Sequence, residues 1–227
     1  MPRIWYVAYG SNLARARFRC YLSGGRPAGG SRRYVGCRDR SEPTRTEGLE
    51  LPGGLVFAAE SRVWGGGMAF YDTTAPAVVA CRGYLVTAAQ LADVAAQELR
   101  RQPGGEFARE LARLLPDVES VLTTGPGRYG TVVRLGALHG TPMFTITHHD
   151  VGSLPLAAPS APYLRWISDG LREALGYDDA QVAGYLLSAP GIRGRWSEDE
   201  VLALSGGSGV EPVRDRVAPT TTRPSEP

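Results

Sequence analysis

The sequence predicts an α+β fold. Short apolar runs bounded by Gly, Pro, Asn and Asp recur between residues 4 and 147, and they read as strands. Helical periodicity appears at 88–101, around Phe107, Leu111 and Leu114, and again from Pro162 to Leu175. Strands dominate the middle third of the chain, and helices follow them.

The first strand is Ile4-Trp5-Tyr6-Val7-Ala8, which runs directly into Tyr9-Gly10-Ser11-Asn12-Leu13. A glycine and two small polar residues there halt an apolar run. Leu13 to Leu22 fits one or two helical turns, and Gly24 to Gly48, rich in Gly, Arg and Pro, reads as loop with a short strand. Leu55–Ala58 and Met68–Tyr71 flank Trp64-Gly65-Gly66-Gly67 as two strands, and Cys81–Val86 makes another. Beyond Pro116, strands are expected at Ser120–Thr124, Gly130–Leu135 and Met143–Thr147, with a hairpin turn at Leu138–Thr141. In the helix from Pro162, Tyr163, Trp166, Ile167 and Leu171 share one side. Two more helices are expected at Asp178–Ser188 and Ser197–Ser205, the second opened by a Ser197/Glu200 capping box. Residues 1–205 form one domain, and 206–227, which lack a periodic apolar pattern, are expected to be a disordered tail.

Composition excludes several chemistries. All 25 basic residues are arginine, so no lysine exists to form a Schiff base or to serve a P-loop. Cys20, Cys37 and Cys81 are odd in number and widely spaced, which points to free thiols and not to a disulfide framework or zinc knuckle. With no membrane-length apolar run and no basic-then-apolar leader, the chain is expected in the cytoplasm. Charge is uneven: residues 1–45 hold ten arginines against Asp39 and Glu42, although the whole chain carries only +2. Neither a nucleic-acid motif nor interleaved aromatics accompany these arginines, so a solvated face or steering of a small anion is expected.

Two features carry possible chemistry. A strand ending in Gly10-Ser11-Asn12 offers backbone N–H groups and short polar side chains to a carboxylate or carbonyl oxygen, although the same residues also make ordinary turns. In the helix of 88–101, Leu91, Val94 and Ala95 form an apolar stripe whose next position, seven residues after Leu91, is Glu98. A carboxylate on a core stripe must be paired, protonated or beside a cavity. Trp64 with its three glycines allows close approach of backbone or ligand, and Tyr129 and Tyr163 fit either a core or a pocket wall.

Taken together, these residues resemble the gamma-glutamylcyclotransferase-like family, whose hallmark strand ending matches Tyr9-Gly10-Ser11-Asn12-Leu13. The Trp-glycine run matches Trp64–Gly67, the family's helix with a catalytic glutamate after Gln matches Leu91 through Gln97-Glu98, and Tyr129, Pro159, Ser160 and Tyr163 match further positions. The resemblance covers roughly residues 4–175. It departs where Ala95-Ala96 precede and Leu99-Arg100-Arg101 follow the glutamate, in the arginine-rich segment before Trp64, and in the tail.

The resemblance implies a mixed β-barrel with surrounding helices. It implies a small gamma-glutamyl substrate cyclised to 5-oxoproline with release of an amine, and neither cofactor nor metal. Glu98 would act as general base and then general acid, while Tyr9, Gly10, Ser11, Asn12, Leu13, Trp64, Tyr129 and Tyr163 would bind the substrate. Two other readings stand beside it. One is a non-catalytic small-ligand module on the same fold. The other is a metal-dependent amide hydrolase or deacetylase using His148, His149, Asp150 and His139, which is disfavoured because adjacent strand residues face opposite sides. Ser11 as a hydrolase nucleophile lacks a Gly-x-Ser-x-Gly elbow.

Overall fold

The computed structural model describes residues 2–206. Its frame is a six-stranded mixed sheet in the order β2-β5-β1-β8-β7-β6. The strands are β1 Arg3–Ala8, β2 Thr46–Pro52, β5 Val78–Thr87, β6 Val121–Thr123, β7 Thr131–Leu138 and β8 Thr141–Thr147. β1 runs parallel to β8, and the other neighbours are antiparallel. β3 Gly54–Ser61 and β4 Gly66–Asp72 form a separate hairpin. The α+β class therefore holds, but the sheet is open at β2 and β6 and does not close into the expected barrel.

The apolar continuity of β1 follows from its central place. Ile4, Tyr6 and Ala8 face one core with α1 Arg15–Ser23, α2 Ala88–Glu98 and α3 Glu106–Leu114. Trp5, Val7 and Tyr9 face a second core with the β3–β4 hairpin, α4 Ala161–Leu175 and α5 Asp179–Ser188. A strand covered on both faces has no polar side to present, so alternation disappears from its sequence. The last α-helix among the described residues is α6 Glu198–Leu202, opened by the expected capping box of Ser197 and Glu200.

Other local expectations meet small differences. α2 begins on a capping box between Thr87 and Gln90 and stops at Glu98, three residues before the periodicity suggested. A Schellman closure stops it: Arg100 N–H donates to the Gln97 carbonyl (3.1 Å), Arg101 N–H donates to that of Ala96 (2.7 Å), and Arg100 sits at φ 58° where glycine is usual. The Gly24–Gly48 segment contributes β2 at its end and is otherwise largely irregular. The β7–β8 hairpin turns at His139 and Gly140, both at positive φ. The tail expected over 206–227 lies, past Gly206, outside the described residues.

Irregular backbone from Arg32 to Ser41 is held by a polar row on α2 and not by a ladder. Gln90 Nε2 donates to the carbonyls of Asp39 (3.2 Å) and Ser41 (2.9 Å). Asp93 accepts from the backbone N–H of Arg38 (3.0 Å) and from its guanidinium (both 3.1 Å). Gln97 accepts from Gly36 N–H (3.2 Å) and donates to the Tyr21 carbonyl (3.1 Å), while Arg32 donates to the Gln97 carbonyl (2.8 Å). Buried polar groups are tolerated here because each has partners.

Candidate active site

The hallmark segment forms a tight 3-10 turn at Ser11–Leu13, immediately after β1. Its place is set by α4, which meets it with bare backbone at Gly170. A Cβ on Gly170 would lie 2.3 Å from Leu13 Cβ and 2.6 Å from Ala14 N. Tyr84 Oη donates to the Asn12 carbonyl at 2.8 Å, and Asn12 Nδ2 donates to Tyr6 Oη at 3.0 Å. Gly10 is equally confined, since a Cβ there would come within 3.1 Å of Ala69 Cβ and 3.3 Å of Tyr163 Oη.

A small cavity of about 50 Å³ opens beside this turn, with Tyr9, Gly10, Ser11 and Asn12 on one wall and Glu98 on another. Tyr129 and Tyr163 also line it. Tyr129 donates to the Ala69 carbonyl (2.8 Å), Tyr163 Oη accepts from Ala69 N–H (3.2 Å), and Tyr9 donates to the Ile146 carbonyl (2.8 Å). These phenols are thus fixed by backbone, and burial raises all three above the ordinary tyrosine range.

Two expected residues stand off the cavity wall. The Leu13 side chain is fully buried in the second core and its N–H donates to the Gly10 carbonyl at 2.9 Å. Trp64 backs the wall, with its ring centroid 5.3 Å from that of Tyr163 and 5.6 Å from the Arg17 guanidinium carbon. Its glycine run meets protein backbone: a Cβ on Gly67 would lie 1.9 Å from the Ala157 carbonyl oxygen. Gly67 N–H donates to the Ala158 carbonyl at 2.7 Å.

Glu98 is half-buried at the end of α2 and accepts a hydrogen bond from Tyr21 Oη. Burial raises its carboxyl above the usual range, opposed by the Tyr21 hydrogen bond and by the Arg17 and Arg32 charges. Arg17 was not among the expected site residues, yet it is only 2% exposed and lines the same cavity. Its guanidinium carbon lies 4.6 Å from each of the Tyr21 and Tyr34 ring centroids, and Nη2 donates to Tyr34 Oη at 2.8 Å. Among the described residues, Nε and Nη1 are buried with no hydrogen-bond partner, and Asn12 Oδ1 is a buried acceptor in the same condition. Unsatisfied donors and an unsatisfied acceptor at one cavity have the polarity to meet a carboxylate and an ammonium. Tyr6 and Tyr21, also lining residues, were likewise missed. Spacing offered a signal for Arg17 and Tyr21, which stand four residues apart on one face of α1.

His148 and His149 lie past the end of β8 with ring centroids 4.3 Å apart, so they do not face opposite sides as adjacent strand residues would, but His139 does not join them. His139 lies in the β7–β8 turn and His148 just beyond the opposite end of β8. Among the described residues, no group of three or more His, Cys, Asp or Glu side chains is arranged to hold a metal ion. No described helix is long and apolar enough to cross a membrane.

Comparison with known proteins gives similarity without a family. No family model matches the chain. A curated Arabidopsis thaliana protein, histone deacetylase 5, is 30% identical over 198 residues, covering 81% of this chain and 30% of that protein. The chain thus spans about 30% of the length of the curated relative it matches. Among solved structures, an uncharacterised Homo sapiens protein aligns at TM-score 0.49 and 16% identity, covering 90% of this chain and 99% of the other. A gamma-glutamyl cyclotransferase aligns at TM-score 0.43, with the same 16% identity and the same coverage.

Proposed function

We propose that the chain is a gamma-glutamylcyclotransferase-like enzyme that releases an amine from a gamma-glutamyl amide by internal cyclisation to 5-oxoproline. The observation that carries this reading is the meeting, at one cavity, of a raised carboxyl at Glu98 with the unsatisfied guanidinium edge of Arg17 and the unsatisfied Asn12 Oδ1. A glutamyl group presents an α-carboxylate and an α-ammonium, the complements of these groups. In the proposal, Arg17 takes the carboxylate, Asn12 Oδ1 orients the ammonium, and Glu98 faces the reacting nitrogen.

Glu98, as carboxylate, accepts one proton from the ammonium. The freed amine forms a bond to the side-chain carbonyl carbon and closes a five-membered ring. The Glu98 proton passes to the amide nitrogen as its bond to carbon breaks. A second proton lost by the attacking nitrogen also ends on the departing amine, which leaves as an ammonium ion. A base with an elevated pKa is suited to both directions of this exchange. The tethered nucleophile means that orientation supplies much of the rate. Backbone N–H groups at Ser11 and Asn12 are the proposed donors to the oxyanion, a role in which one donor is worth about 3 kcal/mol. Tyr129 and Tyr163 shape the pocket.

The name of the curated relative favours a deacetylase as the second reading. Against it stand the small fraction of that protein spanned here and the separation of His139 from His148 and His149 along β8. A binding module without turnover fits the same cavity and differs only in yielding no product.

Incubation with gamma-glutamyl dipeptides and amines should yield 5-oxoproline by mass spectrometry. Glu98→Gln should lower kcat by at least about 100-fold. Arg17→Met should act mainly by raising KM, about tenfold or more, because it removes a charge-assisted contact to the substrate carboxylate. Product formation unchanged in Glu98→Gln would sink the reading.

A further inference from the structure

Glu98 and Tyr129 line the small cavity and also a much larger outer cleft of about 490 Å³. Four arginines line the outer cleft, Arg32, Arg62, Arg100 and Arg128, while Glu98 at the junction is the only acidic residue among the described residues lining it. None of the four forms an ion pair with any described acid. Arg32 is tied to the Gln97 carbonyl (2.8 Å) with its guanidinium carbon 4.8 Å from the Tyr34 ring centroid, and Arg128 donates to the Glu60 carbonyl. They come from separate parts of the chain: the loop after α1, the β3–β4 turn, the end of α2 and the loop before β7. Four like charges lining one cleft with a single carboxyl group among them repel one another, and an anionic ligand relieves that repulsion.

We infer that the outer cleft receives the departing half of the substrate, and that this half is an amine carrying at least two negative charges, as carboxylates or as a phosphonate or phosphate. The inference rests on the cyclisation reading, because it takes Glu98 as the point where the bond breaks. The glutamyl half would occupy the inner cavity beside Arg17, and the anionic half would lie among the four arginines. Cleavage converts the departing nitrogen from a neutral amide to an ammonium, so its net negative charge falls by one and its hold on the cleft weakens. That change favours release.

The test compares three amides at low salt: gamma-glutamyl-glutamate, gamma-glutamyl-aminomethylphosphonate and the neutral gamma-glutamyl-propylamide. Both dianionic compounds should exceed the propylamide in kcat/KM by about tenfold or more, with the ratio contracting in added salt. The double variant Arg62→Gln/Arg128→Gln changes two exposed side chains and should bring the ratio to within about threefold. Preference for only one dianionic compound assigns the anion as carboxylate or phosphonate and supports the inference. Equal turnover of all three overturns it and leaves the cyclisation reading intact.

Should no amide yield 5-oxoproline, the cyclisation reading fails, and calorimetric binding to Glu98→Gln protein decides the cleft separately. Dianionic amides binding about tenfold tighter than the propylamide, with the gap closed by the double variant, support the anion site. Equal binding of the three, or binding of polymeric heparin without discrimination among them, overturns it.

Discussion

At the residue scale the proposed chemistry turns on a carboxyl group kept partly out of water. Burial raises the Glu98 pKa, so the folded chain keeps this proton at pH values where the unfolded chain has already lost it. The resulting stabilisation is fully present below the unfolded value, about 4.3, and is lost as pH rises through the folded value. Ionised Glu98 is therefore a liability to the fold that serves the chemistry. Glu98→Gln mimics the neutral form and still offers an oxygen to Tyr21. Its melting temperature should exceed that of the natural protein at about pH 8, and the gain should shrink towards zero near about pH 4. Thermal unfolding at both values checks this; a gain of equal size at both, or a loss at the higher pH, would remove the pKa argument. Glu98 could be found in the sequence because a helical stripe predicts a leucine there. Charge counting could not single out Arg17, because it is one of ten arginines in residues 1–45 and a count cannot separate a buried one from solvated ones; only its spacing from Tyr21 on α1 marked it.

At the element scale, close backbone contact fixes the turn that faces Glu98. Helix α4 reaches Ser11–Leu13 only because Gly170 lacks a side chain. Gly170→Ala would force the turn and the helix apart, at a cost of about 1–3 kcal/mol typical of an overpacked contact. Activity should fall with it, since the same turn forms the cavity wall. Denaturant unfolding together with the 5-oxoproline assay checks both effects, and an alanine variant as stable and active as the parent would refute the close fit. The glycines after Trp64 illustrate what a sequence leaves open. They mark a close approach, but composition does not distinguish an approaching ligand from the Ala157–Ala158 backbone that is in fact there. Similarly, the end of α2 could not be placed from periodicity, because Arg100 fills a left-handed position that glycine would have announced.

At the scale of the whole molecule, the α+β class and most elements were legible because their apolar spacing reflects burial on one or two faces. Residues 32–41 were not, because side chains of Gln90, Asp93 and Gln97 hold them and no periodic signal accompanies such anchoring. Openness of the sheet was equally hidden: strand patterns report which faces are buried, not whether β2 and β6 meet at the edges. Internal cyclisation also belongs to this scale, since it needs α1, α2, the end of β1 and α4 around one cavity. Reaction in ¹⁸O-labelled water tests it most directly. Internal cyclisation predicts 5-oxoproline without ¹⁸O, because the carbonyl oxygen comes from the substrate amide and water takes no part. Glutamate carrying one ¹⁸O in its side-chain carboxyl would show hydrolysis instead and contradict the account.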